Sequence, residues 1–401
     1  MIEVAAGYHA IRADRLIDGL AGPARPDVTV VLDGQRIAAV VEDGAALPAE
    51  LVVERVPGTL VPGFVDPHLH LAFSEADAPR LSREAALALA TRHAEELLLG
   101  GVTTARDLGV PHGVSREVRE RVTAGAAHGP RLLVAIQPVT RADGHCHWFG
   151  RHAGDRDAIR REVGRLAAEG ADVIKVMVTG GMSTPGSRPG VPQYATAEVR
   201  AAVETAHAAG LRVAAHVLGS AGVRVAIDAG VDTLEHGWTV TGGDQQFDPA
   251  MVPDIAASGI VASVTAHEKP RQLLPGELTP TGDLAELRRR LTPHRVVAAA
   301  GVPFMVHSDC GPYHTRYDRF GLSIRVFHEG MGVPVERAIA AATSVPAKAL
   351  GLGDSVGAVA PGRRADLVLL DGDPTRDPGA LTRVVRVLLG GRVAVEAGRL
   401  V

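Results

Sequence analysis

Eight short apolar runs, each followed by an alanine-rich stretch of helical character, fill the middle of this chain of 401 residues. The runs lie at about 60–71, 102–108, 132–139, 173–179, 212–218, 233–238, 260–266 and 302–309. Helical segments separate them, and several end at a glycine, as helix C-termini often do; examples are 83–99, 197–209 and 284–300. Such alternation is typical of parallel βαβ units, so eight repeats predict an α/β fold whose centre is a (β/α)8 TIM barrel.

Both ends of the chain carry a different pattern, in which short β-rich segments are joined by tight turns. Residues 28–40 contain an Asp33-Gly34 turn and residues 384–401 contain a Gly390-Gly391 turn, and both are hairpin signals. We therefore expect a small β-sandwich domain built from both chain termini, residues 1–59 and 357–401, beside a barrel of residues 60–356. A doubly wound open sheet is the alternative, but no Gly-x-Gly-x-x-Gly motif follows the first barrel strand.

Composition limits the partners that the chain can have. It contains 42 Lys and Arg residues against 46 Asp and Glu residues, and a net charge of −4 favours neither nucleic acid nor an anionic membrane as a partner. The ligand is therefore expected to be a small molecule. Two cysteines, Cys146 and Cys310, are too few for a disulfide framework, and the N-terminus has no signal-like apolar stretch. These features predict a cytoplasmic protein.

One lysine interrupts an apolar run that otherwise has the pattern of a buried strand. The chain has three lysines, at positions 175, 269 and 348, and Lys175 lies within residues 171–178, which read Ala-Asp-Val-Ile-Lys-Val-Met-Val. A buried amine costs several kcal/mol unless it is neutralised or paired. Taken alone, the simplest interpretation is that the stem of the side chain is buried and the amine reaches the rim of the sheet.

Further polar side chains fall at the C-terminal ends of other predicted strands, where a barrel builds its site. The first strand ends in Asp66-Pro-His-Leu-His70, and side chains two apart on a strand share a face, so two imidazoles can enter the barrel mouth together. A single histidine at a strand end is more often structural, and a single aspartate is often a helix N-cap. Six such residues on five strand ends favour a metal site instead; they are His68, His70, Lys175, His216, His236 and Asp309.

These residues, in this order, resemble the site of the amidohydrolase superfamily, and the resemblance covers nearly the whole chain. Supporting stretches are residues 60–70, residues 101–109, which read Gly-Val-Thr-Thr-Ala-Arg-Asp-Leu-Gly, and residues 356–368. Residues 171–181 and the later Gln193-Tyr194 resemble the branch of imidazolonepropionase-related and prolidase-like enzymes, which includes dipeptidases of the Xaa-Pro and Xaa-Arg/Lys types. Relatives in this superfamily are often symmetric oligomers, so a homo-oligomer is compatible with the resemblance, although the sequence itself does not define the oligomeric state.

The resemblance implies a binuclear metal site, with two divalent ions that are most simply Zn²⁺. His68 and His70 would bind one ion, His216 and His236 the other, and Lys175 would bridge both as a carbamate. Such ions lower the pKa of a bridging water and polarise a carbonyl. Asp309 is then the expected general base, which takes a proton during attack and delivers it to the leaving nitrogen.

The implied reaction is hydrolysis of a C–N amide bond in a dipeptide, an N-acyl amino acid or a similar small amide. The alternatives are a cyclic-amide hydrolase or a mononuclear deaminase of the same superfamily, and a non-catalytic scaffold. Lys175 favours two ions, because a mononuclear site needs no bridging anion. Gly219 also stands where deaminases commonly have a glutamate, three residues after His216.

Substrate contacts are expected from the loops after the strands. Residues 141–147 are similar to a Gly-Gly-His-Gly-like segment whose histidine helps to hold the substrate carbonyl, and His145 aligns best with it. Asp143 and Cys146 depart from that pattern, so the choice between His145 and His147 stays open.

Other candidates come from later loops. Tyr194 would either orient the substrate or pack on the barrel rim as a loop aromatic. His267, Tyr313 and Arg316 face the same mouth in this arrangement, and an arginine there suits a substrate carboxylate. Neither cysteine is expected to be a nucleophile, because no separate orienting triad is evident.

Overall fold

The computed structural model describes residues 8–42, 47–73, 81–238, 247–266, 284–311 and 316–401. Its strands are β1 (Tyr8–Leu16), β2 (Arg25–Asp33), β3 (Arg36–Val41), β4 (Val52–Pro62), β5 (Phe64–Leu69), β6 (Val102–Asp107), β7 (Arg131–Val134), β8 (Val139–Thr140), β9 (Arg151–His152), β10 (Val173–Met177), β11 (Arg212–Leu218), β12 (Thr233–Gly237), β13 (Val261–Thr265), β14 (Phe304–His307), β15 (Leu367–Leu370), β16 (Val384–Leu389), β17 (Arg392–Glu396) and β18 (Arg399–Leu400).

The helices alternate with the central strands. They are α1 (Arg83–Leu99), α2 (Ser115–Thr123), α3 (Arg156–Ala168), α4 (Thr196–Ala208), α5 (Gly219–Ala229), α6 (Val252–Ala257), α7 (Leu284–Arg290), α8 (Thr292–Ala299), α9 (Phe320–Met331), α10 (Val335–Ala341) and α11 (Ser344–Ala349). Short 3-10 turns lie at Pro111–Gly113, Pro249–Met251, Tyr317–Arg319 and Pro378–Thr382. Across the described ranges, no helix combines the length and apolar character that crossing a bilayer requires.

Eight parallel strands form a ring in chain order. β5, β6 and β7 pair in parallel, as do β10 to β14, and β8, which continues the third predicted run, pairs with β10. Backbone hydrogen bonds close the ring, since Asp309 N donates to His68 O at 3.0 Å and His70 N donates to Cys310 O at 2.9 Å. The α/β architecture with eight parallel strands is therefore the one that the sequence predicts.

The ring strands are buried because helices cover their outer face and side chains fill the interior. β5, β6, β10, β12 and β14 are buried at every residue. Side-chain caps fix where two of the covering helices begin: Ser82 accepts from Ala85 N before α1, and Asp155 accepts from Ala158 N before α3. One hydrophobic core unites the ring with its helices, and all ring strands direct their C-terminal ends to the same mouth.

Strands from both ends of the chain form one mixed sheet of eight strands, in the order β18-β17-β16-β15-β4-β1-β2-β3. Both predicted hairpins are confirmed, with Asp33 opposite Arg36 and Leu389 opposite Arg392. The second turn is a Gly390-Gly391 pair with φ of 56° and 76°, a left-handed conformation that glycine adopts at little cost. The pairing of β4 with β15 runs through Pro62, so the sheet extends beyond the predicted boundary at residue 59.

Three predicted segments are interrupted in the structure. The first run is divided into β4 and β5 at Gly63, where a Cβ would lie 2.1 Å from Thr103 Oγ1. The third run is divided into β7 and β8 around Ile136, whose φ of 65° cannot continue a strand. The last helical segment is two helices, α7 and α8, because Pro293 in the first turn of α8 has no backbone N–H for α7 to use.

Candidate metal centre

The C-terminal ends of the ring strands bring a row of imidazoles together at the mouth. His70, His68, His236, His216 and His145 follow one another with ring centroids 5.3, 4.9, 4.7 and 4.5 Å apart. None of these residues is more than 8% exposed. The structure therefore brings together the four histidines predicted as metal ligands, and it adds His145 at one end of the row.

Asp309 lies against this row just beyond the last ring strand. Its Oδ1 lies 3.5 Å from His68 Nε2 and 3.7 Å from His70 Nε2, and its Oδ2 lies 4.0 Å from His236 Nδ1. Burial raises the pKa of the Asp309 carboxyl to about 7, although the charge of Lys175 acts in the opposite direction. The residue has a φ of 51°, a left-handed conformation that costs about 1–3 kcal/mol in a non-glycine residue and clusters at functional sites.

Lys175 lies in the same buried region, in the middle of β10. The residue is 1% exposed, and its Nζ has no hydrogen-bond partner among the described residues. Burial lowers the pKa of the amine to about 8, while the charges of Glu235 and Asp309 oppose that shift. The interpretation in which the amine reaches the rim is therefore wrong. What remains is a buried donor without an acceptor, which native structures rarely contain without a functional reason.

Hydrogen bonds at Nδ1 orient two of the imidazoles. His68 Nδ1 lies 3.1 Å from Glu235 Oε2, and His70 Nδ1 lies 2.7 Å from Gly109 O. An ionised carboxylate and a carbonyl oxygen can only accept, so each Nδ1 carries the hydrogen and each Nε2 keeps a lone pair on the Asp309 side. Burial lowers the pKa of His70 to about 4 and that of His68 well below its ordinary value, so both rings are neutral at pH 7.

The other two predicted ligands are held in a similar way. His216 Nε2 lies 3.2 Å from Gly180 O, and His236 Nδ1 lies 2.8 Å from Thr265 Oγ1. Burial lowers the pKa of both imidazoles well below the ordinary value. Neutral imidazoles that are held by a hydrogen bond at one ring nitrogen are the form in which histidine binds divalent metals.

Two groups of side chains each place their donor atoms close enough together to bind an ion. His68, His70 and Asp309 form one set and His68, His236 and His307 the other, with all donor atoms in a set within 4.8 Å. His307, at the end of β14, was not predicted as a site residue. Its ring stacks on His68 with centroids 4.5 Å apart, and its place two residues before Asp309 was the available signal. The donors of both sets, imidazole nitrogen and carboxylate oxygen, suit Zn²⁺.

A buried ion pair behind His68 was also missed by the sequence reasoning. Arg106 Nη2 donates to Glu235 Oε1 at 2.6 Å, and neither side chain is more than 1% exposed. Burial acts to raise the pKa of Glu235, but the charges of Arg106 and Lys175 outweigh it and lower the pKa to about 2. Each is a charged residue inside an apolar strand, which is the same signal that singled out Lys175.

The two histidines after the third strand differ in their surroundings. His145 is buried at the end of the imidazole row, with its Nδ1 2.9 Å from Thr184 Oγ1, and burial lowers its pKa to about 3. His147 is half-buried and its Nδ1 lies 2.9 Å from Gly144 O in its own loop. The geometry therefore favours His145 as the residue nearer the reacting groups.

The remaining substrate candidates are less well placed. The Tyr194 hydroxyl donates to Ala153 O at 2.8 Å and the side chain is buried, which is the packing alternative rather than the substrate role. Arg316 donates twice to Asp318, at 2.9 and 2.5 Å, so a carboxylate of its own chain already occupies the guanidinium. His267 and Tyr313 lie outside the described residues.

The two cysteines are not poised for nucleophilic chemistry. Burial raises the pKa of the Cys146 thiol to about 12, and it raises that of Cys310 well above the ordinary value. A cysteine nucleophile acts as the thiolate, which needs a lowered pKa. Their positions beside His145 and Asp309 therefore reflect packing.

A ring of parallel strands with buried imidazoles, a carboxylate and a lysine at its C-terminal mouth defines a class of hydrolases that use bound metal ions. The profile of the amidohydrolase family matches residues 59–394, and the chain belongs to this family. It is an enzyme that hydrolyses carbon–nitrogen bonds, as the resemblance seen in the sequence implies.

Three known proteins show how this chain compares with its relatives. Ochratoxinase from Aspergillus niger is 26% identical, in an alignment that covers 93% of this chain and 84% of the relative. An imidazolonepropionase from Syntrophobacter fumaroxidans is 25% identical over 78% of this chain and 74% of its own length. Among solved structures, a Xaa-Pro dipeptidase with bound methionine superposes with a TM-score of 0.82 at 25% identity, over 96% of this chain and 99% of the other.

Proposed function

We propose that the protein is a binuclear, zinc-dependent amidohydrolase that cleaves an amide bond in a small molecule. The observation that carries the proposal is Lys175, a buried amine without a hydrogen-bond partner among the described residues. Its charge lowers the pKa of His68, His70 and His216, so the amine lies within electrostatic reach of both halves of the imidazole row. This position, close to both halves of the row, suits a ligand that bridges two ions.

Carboxylation of Lys175 would complete the donor set. The uncharged amine adds carbon dioxide, which forms an N–C bond, releases one proton and leaves an anionic carboxylate with two oxygen donors. The lowered pKa of about 8 favours the uncharged amine that this reaction needs. In the proposed site His68, His70 and Asp309 would hold one ion, His216 and His236 would hold the other, and the carboxylated Lys175 would supply oxygen donors to both.

The reaction needs groups that move protons and hold the substrate. Bound divalent ions would supply Lewis acidity, which lowers the pKa of a water and polarises the amide carbonyl. Asp309 would accept the proton of the attacking water and deliver it to the leaving nitrogen, because its two oxygens face three histidines of the row. His145 would hold the substrate carbonyl from the end of the row.

Similarity to a Xaa-Pro dipeptidase and to ochratoxinase supports a dipeptide or an N-acyl amino acid as the substrate. The alternative substrate is a cyclic amide, which similarity to an imidazolonepropionase supports. A cavity of about 170 Å³ beside the mouth is lined by Gly144, Gly180, Arg188 and Gln193, among others. The exposed Arg188 side chain pairs with no described residue, so Arg188 suits a substrate carboxylate better than Arg316 does. A hydrolysis screen of dipeptides, N-acyl amino acids and lactams would separate these classes.

Replacement of the bridging lysine tests the proposal directly. Lys175→Ala should retain fewer than two equivalents of zinc and lose at least about 100-fold in kcat, a loss typical of removing one strong electrostatic contact in a site. Short carboxylic acids added to the variant should restore part of both, because they can supply the missing bridging carboxylate. Metal content and hydrolysis are measured on the same samples.

Lys348→Ala is the matched control, since Lys348 is an exposed lysine on α11. It should bind zinc and turn over like the wild type. Two tightly held zinc ions and full activity in Lys175→Ala would sink the proposal of a bridging lysine.

We also infer the remaining organisation from these features. The terminal sheet would be a small β-sandwich domain of residues 1–59 and 357–401, next to a barrel domain of residues 60–356. The protein would work in the cytoplasm on a small-molecule amide, which two buried free cysteines support, and would form a homo-oligomer.

A further inference from the structure

The carboxylate of Glu235 divides its two oxygens between different partners. Oε1 accepts from Arg106 Nη2 at 2.6 Å and from Thr233 Oγ1 at 2.7 Å. Oε2 accepts from His68 Nδ1 at 3.1 Å and lies 3.0 Å from Ser263 Oγ. The carboxylate thus has hydrogen-bond donors at both oxygens, although the residue is 0% exposed.

The Arg106 side chain is fixed from three sides. Its Nε donates to Pro67 O at 2.5 Å, its Nη1 donates to Thr233 Oγ1 at 3.2 Å, and its Nη2 donates to Glu235. Pro67 is the residue just before His68, so the guanidinium contacts the backbone next to His68 and the carboxylate that contacts its ring. The pair therefore contacts both the backbone next to His68 and the imidazole ring of His68.

The geometry of this pair differs from that of a buried ion pair with only a structural role. An arginine and a carboxylate that serve only each other usually meet in a bidentate fork, with two parallel hydrogen bonds. Here Oε1 accepts from Arg106, whereas Oε2 accepts from the imidazole of His68. A buried ion pair is also weak as a source of stability, because desolvation offsets most of the attraction.

We infer that Glu235, held in place by Arg106, is the positioning residue for His68. It fixes the tautomer of the ring and aims Nε2 at the space beside Asp309, and its negative charge makes the imidazole a stronger donor. This inference rests on the proposed function, because it assigns Glu235 and Arg106 to one of the two proposed ions. Neither residue contacts the substrate in this assignment.

Glu235→Gln tests the inference, because it removes the charge and keeps the shape. The variant should hold one of its two metal equivalents about 10–100-fold less tightly than the wild type in competition with a chelator. The other equivalent should be retained. In the cobalt-substituted protein the visible spectrum of one ion should shift, a change that altered stability alone does not produce.

The double variant Arg106→Gln with Glu235→Gln addresses folding. Glu235→Gln alone leaves a buried guanidinium without its counter-charge, which can unfold a protein, whereas the double variant removes both charges of the pair. It should fold and show the same loss of affinity for one ion.

Asp366→Asn is the matched control, because Asp366 is 4% exposed and pairs with Arg131 at 3.1 Å near the start of β7, far from the mouth. It should bind both ions with the affinity of the wild type. Wild-type affinity and an unchanged cobalt spectrum in a folded Glu235 variant overturn the inference alone. A wild-type protein that binds no divalent metal overturns the proposed function as well.

Discussion

Desolvation controls the protonation of single side chains around the mouth. It keeps His68 and His216 neutral, raises the pKa of Asp309 to about 7 and lowers that of Lys175 to about 8. The imidazoles are therefore already deprotonated before an ion arrives, whereas Asp309 and Lys175 titrate near neutral pH. Metal binding should release protons from these two residues, since ligands bind in their deprotonated forms.

The same desolvation acts on His93, a residue outside the proposed site, and makes stability depend on pH. Its ring stacks on Tyr317 with centroids 3.8 Å apart, and its Nδ1 lies 2.7 Å from Leu71 O. Burial lowers the pKa of His93 from 6.5 to about 4. Between these values the unfolded chain binds a proton that the folded one does not, so stability is complete above about pH 6.5 and is lost as the pH falls towards 4.

His93→Phe keeps an aromatic ring against Tyr317 but cannot titrate. Between pH 7 and pH 5 the wild type should lose about 1–2 kcal/mol more stability than the variant, from the linkage of this single group. Denaturant unfolding at several pH values measures the difference. Parallel curves for wild type and His93→Phe would contradict the expectation.

At the scale of elements, the segment between β10 and α4 holds two histidines of the row in place. Gly180 O lies 3.2 Å from His216 Nε2, and a Cβ on Gly181 would lie 2.2 Å from His145 Nε2. The segment is thus packed against the imidazoles, and the absence of a side chain at Gly181 is what makes room for His145.

Gly181→Ala should displace the His145 ring while leaving the fold intact. We expect kcat/KM to fall by about 10-fold or more, because displacements of about 1 Å in a site can cost up to 100-fold. Gly154→Ala is the control, since no atom lies within 4 Å of a Cβ built there, and it should be as active as the wild type. Equal activities in a screen of both variants would show that His145 does not need this position.

Element positions were predictable from the sequence, and partners between elements were not. Periodicity located all eight ring strands, and because strand ends share one mouth it also predicted that His68 and Asp309 lie close together. Which side chains meet across strands depends on strand register and on side-chain rotamers, and neither can be read from a single sequence. The partners of Glu235 were therefore not predicted. The substrate role considered for Tyr194 likewise did not predict the hydrogen bond from its hydroxyl to Ala153 O.

At the scale of the whole molecule, the proposed ions would tie together five ring strands. The ligands come from β5, β10, β11 and β12 and from the residues that follow β14. Because an ion that binds only the folded state stabilises it, removal of metal should lower the melting temperature by several degrees. A free concentration of 100 times Kd corresponds to about 2.7 kcal/mol for one site.

Dialysis against a chelator followed by thermal melting measures this effect. Return of zinc should restore the original melting temperature. In Glu235→Gln, whose hold on one ion is expected to be weaker, the chelator should cause a smaller drop than in the wild type. A melting temperature that does not respond to the chelator would mean that no ion links the strands.

The seam that closes the ring runs through the proposed ligands, since Asp309 N donates to His68 O and His70 N donates to Cys310 O. Almost the whole barrel sequence separates His68 from Asp309, so this contact is strongly non-local and its formation costs loop-closure entropy. During translation, β14 is the last of the ring strands to be synthesised. The nascent chain would consequently have no complete proposed ion site until β14 docks, and metal capture would report that the ring has closed.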